Sequence, residues 1–113
     1  MKRIQLTKVE RDEFDNVVSV VKTSKWFNAE TAFEFDGKTY SDGQNKSSVN
    51  CPKHFFQSLY RTNDFNWVLC EWNEIAGVRT TYEQITYDRA IEWLITNGHD
   101  DELTEEEVRK FEL

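Results

Sequence analysis

The stretch that decides the fold spans residues 58–72 and reads SLYRTNDFNWVLCEW. Two largely apolar arms, FQSLYRT and WVLCEWN, flank the polar segment NDFN. Asn and Asp tolerate the left-handed backbone region and form local hydrogen-bonded turns, so this segment predicts a reversal of the chain. Residues 56–73 are therefore predicted to form a β-hairpin.

Both faces of this predicted hairpin carry apolar side chains. Successive strand residues point to opposite faces, so Trp67 and Leu69 share one face while Tyr60 and Trp72 belong to the other. A strand that is apolar on both faces is covered on both, at the centre of a sheet or between a helix and a second partner. We expect Trp67 and Leu69 in the core. Tyr60 and Trp72 are the candidate exposed anchors for a partner, because Tyr and Trp dominate interface hot spots.

The C-terminal third predicts one more strand and two helices. TTYEQI (residues 80–85) is the strand, and Thr86 is placed to cap the helix that follows it. One stripe of that helix consists of Ala90, Trp93, Leu94 and Asn97, and Gly98 is a natural residue to end it. Thr104 and Glu107 have the spacing of a capping box, which predicts a second helix.

The first 25 residues allow two interpretations. RIQL is a short strand or an ordered arm, and Thr7 with Glu10 has the spacing of a capping box. A single helical stripe is then formed by Phe14, Val17, Val18 and Val21. The valines equally favour a strand, but they do not alternate with polar residues, so we predict a helix.

Residues 31–43, TAFEFDGKTYSDG, predict another hairpin. Phe33 and Phe35 alternate with Glu34, and Asp36-Gly37 suits the positive backbone angles of a type I′ turn. The polar run SDGQNKSSVN (residues 41–50) is predicted to be a long loop. The chain as a whole is predicted to be one α+β domain, residues 1–113, in which an antiparallel sheet of about four to five strands packs against two to three helices.

The charge is acidic and unevenly distributed. The net charge of −7 disfavours direct binding of nucleic acid or of anionic membranes, and it favours a basic partner. The first 25 residues carry six basic and four acidic side chains, whereas residues 100–113 carry two basic and seven acidic ones. We therefore assign a candidate partner-binding role to the acidic end, namely to Asp100, Asp101, Glu102, Glu105, Glu106 and Glu107. The alternative is an ordinary solvated helix face.

Catalytic and metal-binding motifs are weak. Zinc favours two Cys with two His, and Cys51, His54, Cys70 and His99 are such a set. Cys70, however, lies within an apolar strand, where a cysteine behaves as a small hydrophobic residue. NGHDDE (residues 97–102) is interpreted as a solvated connector between helices. We predict no cofactor, no metal and no enzymatic activity. The first residues, MKRIQLTKVERDEF, lack the apolar core of a signal peptide, so a cytoplasmic location with reduced thiols is expected.

The second half of the chain resembles a group of small accessory proteins encoded by phages, plasmids and other mobile elements of bacteria. The resemblance rests on LYRT, on Asn-Trp after the turn, and on a threonine-capped helix with A-x-E-W. The matching positions are Leu59, Tyr60, Arg61, Thr62, Asn66, Trp67, Leu69, Thr86, Ala90, Glu92 and Trp93. CEWNEIAGVR (residues 70–79) stands where such proteins carry a glycine-rich stretch. Small acidic proteins of these elements include anti-CRISPR inhibitors, which this chain resembles in size and charge.

The resemblance and the charge together imply an inhibitor. Its expected partner is a basic nucleic-acid-binding surface on a host defence protein such as an RNA-guided nuclease. The alternative is an accessory or regulatory protein that recognises a partner, or a second copy of itself, through an apolar face of the sheet.

Overall fold

A computed structural model describes residues 1–14, 16–42, 45–48, 55–73 and 80–113. Its centre is an antiparallel sheet of four strands in the order β3-β6-β7-β8. The bounds are Phe33–Asp36 for β3, Phe55–Arg61 for β6, Trp67–Asn73 for β7 and Thr81–Ile85 for β8. The predicted hairpin of residues 56–73 is thus confirmed as β6 and β7, and these strands lie at the centre of the sheet, each paired with a strand on both sides.

The turn of this hairpin differs in one detail from the expectation. The Phe65 N–H donates to the Thr62 carbonyl at 2.9 Å, which closes the reversal. The residue with positive φ is Phe65, at 59°, and not one of the neighbouring Asn or Asp residues. A phenylalanine in this region is uncommon, because its Cβ crowds the backbone there.

One face of the sheet packs against helix α1, Tyr87–Thr96. The Thr86 hydroxyl accepts from the Arg89 N–H at this helix's start, and Gly98 follows its end with φ of 79°. The core on this side contains Phe35, Leu59, Trp67, Ile85, Ala90, Ile91, Trp93 and Leu94. The predicted apolar stripe is confirmed. Its polar member, Asn97, is buried as well, and its side chain joins the Trp93 carbonyl to the Lys38 N–H, each at 2.9 Å.

The other face is covered in part by a two-stranded ribbon. Strand β1 (Arg3–Arg11) pairs with β2 (Val17–Asn28) in antiparallel register. Between Gln5 and Thr7 the register shifts, and such a bulge bends a ribbon and redirects its side chains. Leu6 and Phe27 of the ribbon form a second small core with Val68 of the sheet. The ribbon, the sheet and α1 therefore form three layers.

The predicted helix with the stripe Phe14, Val17, Val18 and Val21 is wrong. These residues belong to the turn and to the second strand of the ribbon. Thr7 is not a helix cap, because its hydroxyl accepts from the Tyr82 N–H at 2.9 Å across the molecule. The valine-rich segment follows its β propensity, which a pairing strand and a covered sheet face reinforce.

The predicted hairpin over residues 31–43 is also wrong. β3 pairs with β6, and β4 (Thr39–Asp42) pairs instead with β5 (Asn45–Ser48). Gly37 does not have a positive φ, and its N–H donates to the Gln57 carbonyl at 3.0 Å. A Cβ at Gly37 would lie only 2.3 Å from that carbonyl oxygen, so this glycine permits close strand contact rather than a turn. The long loop expected over residues 41–50 is wrong where the structure describes it, because residues 41–42 belong to β4 and residues 45–48 form β5. Residues 43–44 and 49–50 lie outside the described residues.

Two short elements follow α1. A 3₁₀ turn spans Asp100–Glu102, and helix α2 spans Glu105–Arg109. The capping box of Thr104 and Glu107 is confirmed, with both of its reciprocal hydrogen bonds present. The fold is α+β and dominated by its sheets, as predicted.

Candidate binding surfaces

The acidic end of the chain forms a surface that projects from the helix side of the sheet. This acidic segment, residues 100–107, comprises the 3₁₀ turn and the first part of α2. Five of its six predicted binding residues are exposed, namely Asp100, Asp101, Glu102, Glu105 and Glu106. The structure therefore leaves these five carboxylates open to solvent within one short segment.

The acidic segment is held in place at both ends. At its start, the His99 ring stacks parallel to Trp93 with centroids 6.1 Å apart, and its Nε2 lies 2.6 Å from the Asp36 carbonyl oxygen. Just beyond its end, the Lys110 ammonium pairs with Asp88 of α1 at 3.2 Å. The predicted solvated connector is thus correct for the carboxylates of residues 100–102. It is wrong for Asn97, which is buried, and for His99, which is half-buried and packs on the core.

Glu107 differs from the other five carboxylates, because the fold already uses it. Its Oε1 accepts from the Thr104 N–H at 3.0 Å, and its Oε2 accepts from the Tyr87 hydroxyl. These two hydrogen bonds, the backbone one foremost, hold the pKa of Glu107 below its usual range. Glu105 pairs with Arg109 one helical turn later at 2.8 Å. The carboxylates with the fewest internal partners are those of residues 100–102 and 106.

Tyr60 and Trp72 line one groove on the opposite face of the sheet. This tyrosine groove, of about 470 Å³, lies beside the part of that face that the ribbon covers. Trp72 is 37% exposed and stacks on Phe56. Tyr60 is half-buried, because its ring packs against Phe27 of the ribbon at 5.1 Å between centroids. Trp72 is therefore the more accessible of the two predicted anchors.

The floor of the tyrosine groove is polar but unreactive. Ser58 and Cys70 are buried there, and the thiol is hydrogen-bonded to Ser58 and to Tyr82. Burial raises the pKa of the Cys70 thiol to about 11, and burial likewise raises the pKa of Tyr82 to about 12. Burial and the Glu34 carboxylate raise the pKa of Tyr60. A thiol that stays protonated is a poor nucleophile, so this groove is not equipped for thiolate chemistry.

The two sets of predicted binding residues do not form one surface. The side chains of Tyr60 and Trp72 belong to the face of the sheet that the ribbon covers in part. The acidic segment is attached to α1 and packs through Leu103 on the core of the other face. A single flat partner surface therefore contacts one set or the other, and not both.

Sequence reasoning missed a third feature, an aromatic groove on the same side as the acidic segment. Near the β6–β7 turn, Arg61 lies over the rings of Phe33, Phe35 and Phe65, with its guanidinium carbon 5.6, 5.8 and 5.5 Å from the ring centroids. Beside it lies a cavity of about 210 Å³, the Arg61 groove, which is lined by Arg61, Phe65, Tyr87, Glu102, Leu103 and Glu107 among others. The sequence feature that could have indicated this groove is Phe65, because a turn of this kind does not require an apolar side chain.

The residues considered for zinc are not brought together where the structure describes them. Cys70 faces the tyrosine groove, whereas His99 packs on Trp93 and Phe35 on the other side of the sheet. Cys51 and His54 lie outside the described residues. Among the residues that are described, no group of three or more His, Cys, Asp or Glu side chains is placed to hold a metal ion.

Comparisons of the chain with known protein families, with curated proteins and with solved structures find no match. Among the described residues, no helix is long and apolar enough to cross a membrane.

Proposed function

We propose that this chain is a non-enzymatic, acidic protein-binding module, encoded by a mobile element as an inhibitor. Its partner is a basic nucleic-acid-binding surface on a host defence protein, such as an RNA-guided nuclease of the kind that anti-CRISPR proteins inhibit. The resemblance of residues 58–97 to proteins of mobile elements supports this proposal. We expect the acidic segment to make the contact with the partner and the protein to act in the cytoplasm.

The observation that supports this function is the way in which the acidic segment is presented. Five of its six carboxylates are exposed, and the backbone that carries them is fixed by the Thr104–Glu107 capping box and by the stacking of His99 on Trp93. Fixed carboxylates of this kind attract a basic surface over a distance and compete there with phosphates. A flexible acidic tail would lose more conformational entropy on binding.

The alternative, recognition through the apolar sheet face, has less support. The ribbon covers Val68 and part of Tyr60 on that face. Trp72 remains as an exposed anchor, but it borders a groove whose other lining side chains are mainly polar. An interaction through this face would be insensitive to salt, which distinguishes it from the first proposal.

The test is affinity capture from host lysate with the immobilised protein, at about 50 mM and at about 500 mM salt. We expect nucleic-acid-binding proteins to be retained at low salt and released at high salt. An excess of a single-stranded oligonucleotide added to the lysate should prevent their capture, because it fills the same basic surface. If low salt recovers no nucleic-acid-binding protein, or if the oligonucleotide has no effect, the proposed function is wrong.

A further inference from the structure

We propose that the Arg61 groove is the specificity pocket of the acidic surface, and that it takes an aromatic side chain from a basic segment of the partner. This inference rests on the proposed function and goes beyond it, since charge alone selects no particular basic protein. The groove shares Glu102 and Glu107 with the acidic segment, so the two form one continuous surface.

The size and lining of the groove suit a single large side chain. Its volume of about 210 Å³ is smaller than that of a usual small-molecule site. Its inner wall is formed by buried apolar residues, among them Phe35, Ile91 and Leu94. Its rim carries Phe65 and Tyr87, which are 70% and 46% exposed. Aromatic residues and an arginine around a small apolar pocket are the composition of an interface hot spot.

Arg61 decides which side chain enters. Its guanidinium repels a lysine or arginine that approaches the groove, but it attracts the face of an aromatic ring. Its guanidinium carbon already lies over three phenylalanine rings, so Arg61 makes this kind of contact within the fold itself. The occupant is therefore aromatic, and the basic residues of the partner lie on either side of it.

The acidic residues around the groove determine the charge of the partner segment that binds there. Glu102 and Glu107 border the cavity. Asp100 and Asp101 precede Glu102 in the chain, Glu106 precedes Glu107, and all three are exposed. A segment with an aromatic residue between basic ones places its ring in the groove and its cations against these carboxylates. An acidic or neutral segment with the same ring lacks the second contact.

The backbone at Phe65 agrees with this assignment. Its φ of 59° is disfavoured for a phenylalanine, and a glycine there would relieve the strain. The exposed ring contacts Arg61 and lies at the mouth of the groove. Backbone strain of this kind is concentrated at binding and active sites.

The test uses three acetylated and amidated heptapeptides as probes. The first is Lys-Arg-Lys-Phe-Lys-Arg-Lys, the second has Ser in place of Phe, and the third is Glu-Asp-Glu-Phe-Glu-Asp-Glu. Binding is followed by NMR chemical shifts of the labelled protein at about 20 mM salt. We expect the first peptide to bind at least about tenfold more tightly than the second and to shift the resonances of Phe65, Tyr87 and Leu103. The third should not bind.

Two variants complete the experiment. Phe65→Gly removes the ring and the strained φ, so it should remain folded and lose most of the preference for the Phe peptide over the Ser peptide. Phe14→Ala removes an exposed ring from the turn of the ribbon and should keep that preference. Equal binding of the two basic peptides to the unaltered protein overturns the groove assignment but leaves the proposed function intact. Failure of both basic peptides to bind at low salt overturns both.

Discussion

The Thr7 hydroxyl lies against the outer edge of the central sheet at Tyr82. It accepts from the Tyr82 N–H at 2.9 Å, and it lies 3.3 Å from the Tyr82 carbonyl, to which it donates. At the other edge of the sheet, the His99 ring lies 2.6 Å from the Asp36 carbonyl oxygen. Edge strands expose backbone groups that invite pairing with other chains, and here one side chain blocks part of each edge.

Replacement of Thr7 with valine should therefore destabilise the protein although its shape is preserved. The Tyr82 N–H would lose its hydrogen-bond partner at a buried position, since the Thr7 side chain is only 6% exposed. We therefore expect a loss of about 1–3 kcal/mol in the free energy of unfolding. Urea denaturation measures it. Thr7→Ser keeps the hydroxyl and serves as the control, with a loss below about 1 kcal/mol. A loss in Thr7→Val no larger than that in Thr7→Ser would show that the hydrogen bonds of the hydroxyl do not stabilise the fold at this position.

The elements that could be predicted from the sequence are those fixed by local signals. β6, β7 and α1 carry an alternating pattern, a turn and a cap within a few residues of one another. Thr7 shows the opposite case, because its spacing to Glu10 imitates a capping box while its actual partner is 75 residues away. The Asp36-Gly37 pair imitates a turn in the same way, although Gly37 is needed for contact with Gln57. Such distant contacts leave no local pattern.

The same limit applies to the candidate surfaces, which could be predicted from the sequence only in part. The two faces of β6 and β7 follow from alternation, so the separation of Leu59 from Tyr60 could be predicted. The covering of Tyr60 could not, because it depends on Phe27 of a ribbon that was expected to be a helix. The Arg61 groove also depends on residues far apart in the chain, from Phe35 to Glu107.

Trp93 ties α1 to the sheet, and its replacement should be among the most damaging. The side chain is buried, and its Nε1–H donates to Gln57 at 3.0 Å. We expect Trp93→Ala to cost about 3–5 kcal/mol, as for other large buried side chains, and to impair binding through unfolding. Trp26→Ala, at a tryptophan that is 45% exposed, is the matched control and should cost about 1 kcal/mol or less. Chemical denaturation of both variants tests this, and a similar cost for the two would contradict the burial of Trp93.

The tyrosine groove should make the protein sensitive to alkali. The pKa of Cys70 is raised from 9.0 to about 11, and that of Tyr82 from 10.0 to about 12. The folded state therefore holds protons that the unfolded state releases first. The stabilisation is complete below pH 9 and is lost as the pH rises through the folded values. We expect the free energy of unfolding to fall between pH 9 and about 12.

Variants at these two positions separate this effect from general alkaline denaturation. Cys70→Ala and Tyr82→Phe each remove one of the titrating groups, so the decline with pH should be shallower in both. Their stability at neutral pH is measured in parallel, because each also loses the hydrogen bond between the two side chains. An unchanged slope in both variants would mean that neither group titrates differently in the folded and unfolded states.

Reversal of charge in the acidic segment should slow binding without unfolding the protein. In the triple variant Asp101→Lys, Glu102→Lys and Glu106→Lys, three exposed carboxylates are replaced, and Thr104 and Glu107 still cap α2. Long-range attraction acts mainly on the association rate, so we expect that rate to fall by about tenfold or more at low salt. The dissociation rate should change less, and the melting temperature should remain close to that of the unaltered protein. Surface plasmon resonance against the captured partner and a thermal melt provide the measurements.

The matched control for this variant alters the charge by the same amount elsewhere. Glu10, Glu13 and Glu92 are exposed and lie outside the acidic segment, so their joint reversal to lysine changes the net charge equally. If the acidic segment is the interface, the control variant should associate much faster than the variant reversed in that segment. The reason is that attraction between charges weakens with distance and is screened by salt. Equal slowing in both would indicate that only net charge matters. If the first variant stays folded and associates at the unaltered rate, the interface lies elsewhere, and Tyr60 and Trp72 become the residues to replace next.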